Sequence, residues 1–270
     1  PNGGIWLDAT HLGAEMVEET FPGMAERTRN VGQPLSEQRV EVSPTSHYHM
    51  GGVSIDSDCE SGLPWLFVAG EDAGGAHGAN RLGGNGVVDS TVLGKRAGEA
   101  VADAPTAREH PPVHAAQVDR IVDRVSAPLE RTGGPDIYEL REALEETMWE
   151  QVGVVRDAAG LSQAIDRLTS IRQDLATVSV SGTPRYNLEW NQWMDVENLA
   201  LAAELVARSA QYRTESRGAH YRSDYPEPND DEWLSNVFVR GDDGAVEVWD
   251  EPVSFDRLRP ADAGLAADTD

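Results

Sequence analysis

Hydrophobic and polar positions alternate in three different ways along this chain. Residues 1–103 carry short strand-like runs, IWLDA, GVSID and LPWLFVAG, separated by turn residues at Asp56–Asp58 and around Gly62. A helix is predicted from Asn85 through Ala102, opening from the glycine loop that follows LFVAG. Residues 104–112, APTAREHPP, read as a linker on their proline content. The period then changes to that of a helix. Val118, Ile121, Val122, Val125 and Leu129 form one stripe, and Leu140, Leu144 and Met148 a second. Leu161, Ile165, Leu168 and Leu175 form a third, and Val196, Leu199, Ala203 and Val206 a fourth. These predict four amphipathic helices in a small antiparallel bundle, with SGTPRYN breaking the third from the fourth. After Ser216 the chain is polar and irregular, until VFVRGDDGAVEVW predicts a hairpin of two alternating runs joined by GDDG. PADAGLAADTD at the end reads as disordered.

Charge changes the picture of the surface. The formal net charge is −25, and Lys95 is the single lysine. The acids are spread along the whole chain, so an acidic tail for a basic partner does not explain them, and nucleic acid is excluded as a partner. A surface hydrated in very high salt does explain them, because at molar salt the Debye length is roughly 3 Å and self-repulsion largely disappears. Cys59 is the one cysteine, which rules out an internal disulfide and a thiolate metal cluster and points to a reducing compartment. Apolar runs stay far short of the roughly 20 residues of a spanning helix. There is no basic segment leading into an apolar one, as a signal peptide requires. The chain opens on PNGGIWLDAT, without Met, which predicts a fragment or a processed chain.

Two stretches carry candidate chemistry. In LFVAGEDAGGAHGANRLGGN a strand ends in small residues and Gly70-Glu71 follows. Glycines let backbone approach a dinucleotide, and an acid accepts hydrogen bonds from ribose hydroxyls. A plain Gly-rich loop has the same composition. A helix starting at Asn85 would aim its free N–H groups and partial positive charge at a ligand such as a flavin ring. Arg81 sits among Gly and Asn, where a guanidinium can grip a carboxylate through two hydrogen bonds. Pairing with one of the many surface acids is the alternative. In SPTSHYHMGG, His47 and His49 are two apart and share a face of an extended chain. Ligands for zinc are missing. One packed and one exposed histidine is one reading; a histidine donating to a substrate oxygen beside Arg81 is the other.

HYHMGG, LFVAGE, HGANRLGGN, MWEQVGVVRD and ESRGAHYRSDYPE, in that order, resemble the flavoprotein subunit of succinate dehydrogenase and fumarate reductase. The likeness runs from about residue 3 to about residue 253. It implies an α/β FAD-binding (Rossmann-like) domain remnant, an all-α helical bundle domain and a short C-terminal β-hairpin segment. Residues 1–42 would end the capping domain and 43–103 the FAD-binding domain. The linker 104–112 would lead to a helical domain at 113–215 and a C-terminal segment at 216–270. The resemblance makes His47 and Arg81 the catalytic, substrate-binding pair on a carboxylate, and Glu71 the acid on the FAD ribose. Asn85, Gly86 and Val87 would meet the flavin; the family usually has Ser-Leu where this chain has Gly86 and Val87, so backbone contacts survive and a hydroxyl contact does not. A G-x-G-x-x-G unit, a flavin-linking His and a proton-delivering Arg would lie before residue 1.

The implied activity is hydride transfer between FAD and a four-carbon dicarboxylate such as succinate or fumarate. Electrons would pass to an iron–sulfur protein subunit, since one cysteine holds no cluster. The expected location is cytoplasmic, or peripheral on the cytoplasmic face of a membrane through partner subunits. L-aspartate oxidase shares the HY, HGANRL and ESRG motifs and is the nearest alternative, against which the DDEWLSNVFVRGDDGAVEVWDEPV tail speaks. A non-catalytic C-terminal piece that completes an assembly is the alternative from another class.

Overall fold

The computed structural model describes residues 4–43, 45–104, 112–242 and 245–255. The chain divides between His49 and Met50 into two compact units. In the first, strand β1 (Ile5–Leu7) pairs antiparallel with β2 (Val40–Val42), Trp6 opposite Glu41. Helices α1 (Ala14–Thr20) and α2 (Pro22–Asn30) lie between them in sequence. Proline at the first turn of α2 costs no hydrogen bond, because the N–H it lacks would have no helical partner there. Val17, Ala25, Leu35 and Val40 close a small core.

The second unit begins with β3 (Val53–Ser54), parallel to β4 (Ala73–Gly74). Here the sequence expectation needs correcting. LPWLFVAG forms no continuous strand: Phe67 makes a single bridge to Glu60, and the Val68 amide donates to the Cys59 carbonyl at 2.9 Å. A strand needs a neighbour to satisfy its amides. Among the described residues this segment finds one only in the tight 56–68 loop, where Trp65 adopts a positive φ of 69°. Helix α3 (Asn85–Asp103) matches its predicted span.

The helical region contains α4 (Ala115–Glu130), α5 (Ile137–Val152), α6 (Ala158–Leu175) and α7 (Leu188–Tyr212). The last three interlock. Their starts are fixed by Asp136, Asp157 and Asn187, whose side chains accept from Tyr138, Gly160 and Trp190 amides at 2.7, 2.7 and 3.0 Å. Leu161, Leu168, Ile171, Trp193 and Val196 fill the core between them. Each large apolar side chain buried there contributes roughly 1.5–3 kcal/mol. Helix α4 joins this core by its last turns alone. Pro128 is buried, the Trp190 indole donates to the Val125 carbonyl at 2.7 Å, and Val118, Ile121 and Val122 remain exposed. The four-helix expectation thus holds as a three-helix core with a fourth helix attached at one end.

Beyond a short α8 (Asp230–Trp233), β5 (Ser235–Asp242) and β6 (Ala245–Pro252) form the expected hairpin, with Phe238 opposite Trp249 and Val239 opposite Val248. The two rings stack at 5.6 Å. Asp243 and Gly244 at the tip of its GDDG turn, most of the 104–112 linker and the PADAGLAADTD tail lie outside the described residues.

Candidate functional site

The glycine loop of residues 74–84 is held from below, from behind and from above. Below it, β3 and β4 approach so closely that a Cβ on Gly52 would lie 2.3 Å from the Asp72 carbonyl oxygen, and one on Gly74 would lie 2.8 Å from the Gly52 oxygen. The second glycine of HYHMGG is therefore a packing requirement. Behind the loop, His77 Nε2 stands 3.4 Å from Asp89 Oδ2, a buried carboxylate on the second turn of α3. Above it, the Ala79 carbonyl accepts from the Ala219 amide at 3.0 Å.

Arg81 lies in this loop, partly buried, with Nη1 donating to the Leu82 carbonyl at 3.1 Å. Gly84 then takes a left-handed conformation (φ 85°) and caps α3 without a side chain. A glycine offers no side-chain acceptor to the first-turn amides, and Asn85 N–H folds back onto the Leu82 carbonyl at 3.2 Å. Gly86 follows, and Val87 is 77% exposed. Glu71 is exposed in the 3₁₀ turn Gly70–Asp72 that leads into β4. Glu71, Arg81, Asn85, Gly86 and Val87 thus belong to one continuous segment. His47 belongs to the first unit. It is exposed, as is His49, while Tyr48 between them is half-buried, the alternation of an extended chain.

These residues fit a flat cofactor. Cβ atoms added at Gly75, Gly78, Gly83 or Gly84 would meet nothing within 4 Å, so the loop presents bare backbone to open space. The helix N-terminus offers N–H donors and partial positive charge where a ring carries partial negative charge. Leu82, Val87 and Val88 are exposed apolar side chains beside it, suited to a ring face.

Sequence reading missed the scaffold over the loop. In ESRGAHYRSD, Arg217 and His220 exchange backbone hydrogen bonds at 2.8 and 3.0 Å, closing a turn with Gly218 at φ 57°. The turn hangs from ion pairs. Glu215, fully buried, accepts from Arg213, from Arg217 at 2.8 Å and from the Asn229 amide at 2.7 Å. Burial pushes the Glu215 carboxyl up, but these hydrogen bonds together outweigh it and hold it below the usual carboxylate range. Arg222, 1% exposed, donates to the Ala210, Gln211 and Arg213 carbonyls and so caps the end of α7; its other edge grips Asp224 at 2.8 and 2.7 Å. That grip lowers the Asp224 carboxyl to about 2. His220 Nδ1 lies 2.9 Å from Arg156 Nη1, and Nε2 lies 3.4 Å from the Arg213 carbonyl. A guanidinium can only donate, so Nδ1 accepts and the proton sits on Nε2. Burial, then the neighbouring Arg156 charge, push this imidazole down to about 4. The signal in the sequence was the density of Arg and acid around one glycine; their pairing was not readable.

Comparison with known proteins agrees with this architecture. Residues 1–87 match the model of an FAD binding domain, and residues 141–264 match that of the fumarate reductase flavoprotein C-terminus. The chain belongs to the succinate dehydrogenase/fumarate reductase flavoprotein family. Its relatives include the fumarate reductase flavoprotein subunit of Mycobacterium tuberculosis, 32% identical over 96% of this chain and 46% of that protein. L-aspartate oxidase 2 of Ralstonia nicotianae is 34% identical over 82% of this chain and 37% of that protein. Among solved structures, the Mycobacterium smegmatis Sdh1 complex in the apo form superposes with a TM-score of 0.83 at 36% identity, over 96% of this chain and 45% of that one. The chain therefore spans less than half the length of these relatives. FAD is the cofactor of the matched domain, in agreement with the sequence expectation.

Proposed function

We propose that this chain supplies the C-terminal part of an FAD-dependent oxidoreductase that interconverts a saturated and an unsaturated four-carbon dicarboxylate, succinate and fumarate. The observation that carries this reading is Arg81 held in a bare glycine loop that opens directly into an uncapped helix N-terminus. When bound, FAD supplies a ring that accepts or donates hydride. Arg81 binds one substrate carboxylate through its planar fork, and His47 is a second substrate-binding residue, donating to a substrate oxygen. Gripping a carboxylate orients the substrate and offsets charge that builds up beside it as a C–H bond breaks. The amides of Asn85, Gly86 and Val87 and the dipole of α3 favour negative charge next to the ring. Glu71 accepts from the FAD ribose.

We read residues 1–42 as the end of a capping domain and 43–103 as the end of the FAD-binding domain. Residues 104–112 are then a linker, 113–215 a helical domain and 216–270 a C-terminal segment. In this reading electrons leave through an iron–sulfur protein subunit; Cys59, the one cysteine of this sequence, is buried with Sγ 3.6 Å from the Leu93 carbonyl. No helix among the described residues is long and apolar enough to cross a membrane, and attachment to one runs through partner subunits on its cytoplasmic face. The acidic surface suits a high-salt cytoplasm. The β5–β6 hairpin and the C-terminal match favour this reading over L-aspartate oxidase. The test is dye-coupled turnover with succinate against turnover with L-aspartate. Succinate oxidation without aspartate oxidation supports the proposal, and the reverse overturns it.

A further inference from the structure

We propose that the turn Arg217–His220 positions Arg81, so that the helical region sets the geometry of the carboxylate grip. This rests on the reading of Arg81 as that grip. Five observations carry it. The Ala219 amide donates to the Ala79 carbonyl at 3.0 Å, two residues before Arg81. A Cβ on Gly218 would stand 2.4 Å from the same oxygen and 2.7 Å from its carbon, so the two backbones are in direct contact. The turn is held in place, because its ends are fixed by ion pairs that each have one buried partner: Arg217 to the buried Glu215 at 2.8 and 2.9 Å, and the buried Arg222 to Asp224. Those pairs are tied to the helices, through the α7 carbonyls that Arg222 caps and the Ala158 amide that donates to Asp224 at 2.9 Å. The glycine loop has little packing of its own around its outer residues. A loop of this kind takes its position from whatever it touches, and this turn is a rigid thing to touch.

Gly218 is then a positioning residue. Relieving a 2.4 Å approach to ordinary contact at 3.4 Å or more requires the loop to move by roughly 1 Å, and a misplacement of that size near a reacting group costs on the order of a hundredfold.

The test uses the flavin-loaded holoenzyme. Gly218→Ala should lower kcat with succinate by roughly ten- to a hundredfold, with FAD content unchanged and KM moved less than kcat. Combined with Arg81→Ala it should add no further loss, because its effect passes through Arg81. Gly182→Ala is the control: φ there is also positive (87°), but the nearest atom is Asn187 Nδ2 at 3.7 Å. It should cost stability and leave kcat intact. If Gly218→Ala does not fold, the unaltered protein decides. Malonate, a dicarboxylate that is not turned over, should slow hydrogen exchange of the Ala219 amide. Normal kcat in Gly218→Ala, a loss that adds to that of Arg81→Ala, or Ala219 exchange indifferent to malonate overturns the inference. Should Arg81→Ala itself keep its turnover, the reading of Arg81 fails, and the inference with it.

Discussion

His220 should make the scaffold over the glycine loop sensitive to mild acid. Its ring is faced by Arg156 after α5, by the Arg213 carbonyl and guanidinium at the end of α7, and by Arg222 within its own loop. Burial and these cations lower its pKa from 6.5 to about 4. The folded protein therefore binds fewer protons than the unfolded chain between those two values. Stability is at its full value above pH 6.5, falls as pH drops toward 4, and loses nothing more from this group below that. A shift of that size is worth roughly 3 kcal/mol at about 1.4 kcal/mol per pH unit. His220 is only partly buried, so solvent screening reduces the effect to ~1–2 kcal/mol. That corresponds to roughly 2–8 °C in melting temperature for a chain of this size. The assay is thermal melting of the protein and of His220→Gln from pH 7.5 to 4, at constant molar potassium chloride. Gln can still accept from Arg156 but does not titrate. The stability gap between the two proteins should narrow by ~1–2 kcal/mol as pH falls through the window. A gap that stays constant with pH would refute the reasoning, since it would mean that the imidazole titrates equally in both states. Asp224, held near 2, adds a separate loss at lower pH, as pH falls from 3.8 through about 2.

Other outcomes follow from the same geometry. Asp224→Asn should cost about 1–3 kcal/mol, because it removes the charge opposite the buried Arg222 guanidinium while the carbonyls at the end of α7 still hold it; urea unfolding measures this, and no measurable loss would count against a structural role. Trp193→Ala should cost about 3–5 kcal/mol, read by the same unfolding experiment, since the ring is buried in the three-helix core with its indole N–H 3.1 Å from the Leu175 carbonyl. Melting points at low and at molar potassium chloride should differ widely for a net charge of −25; equal midpoints would remove the high-salt reading.

Much of the helical region was legible because burial there follows the chain's own period. Leu161, Ile165, Leu168 and Leu175 face the core as their spacing requires, and the two alternating runs around Phe238 and Trp249 form the expected hairpin. Two elements were read less well. The stripe Val118, Ile121 and Val122 has helical spacing, yet spacing says nothing of which face finds a partner. LPWLFVAG has strand composition, yet a strand is defined by its neighbours. In the site, Arg81 and the start of α3 were readable because glycine and helix-initiation signals are local. The turn at Gly218 was not. Its contact with Ala79 joins residues far apart in the chain, and the pairing of Glu215, Arg217, Arg222 and Asp224 depends on where α7 ends in space.

The central claim is that Arg81 grips a substrate carboxylate, and turnover measured beside flavin content tests it most directly. Arg81→Ala and Arg81→Lys are prepared in the flavin-loaded holoenzyme, and succinate–dye reductase activity is read together with FAD absorbance. Removal of Arg81 opens no core cavity, so FAD content and melting temperature should stay near those of the unaltered protein. Activity should fall on the order of a hundred- to a thousandfold, as for loss of one donor to developing charge. Lysine should not restore it, because a point charge cannot reproduce the planar fork. Near-normal turnover in Arg81→Ala, or activity that falls only in proportion to lost FAD, would contradict the account and leave HGANRLGGN as a cofactor loop.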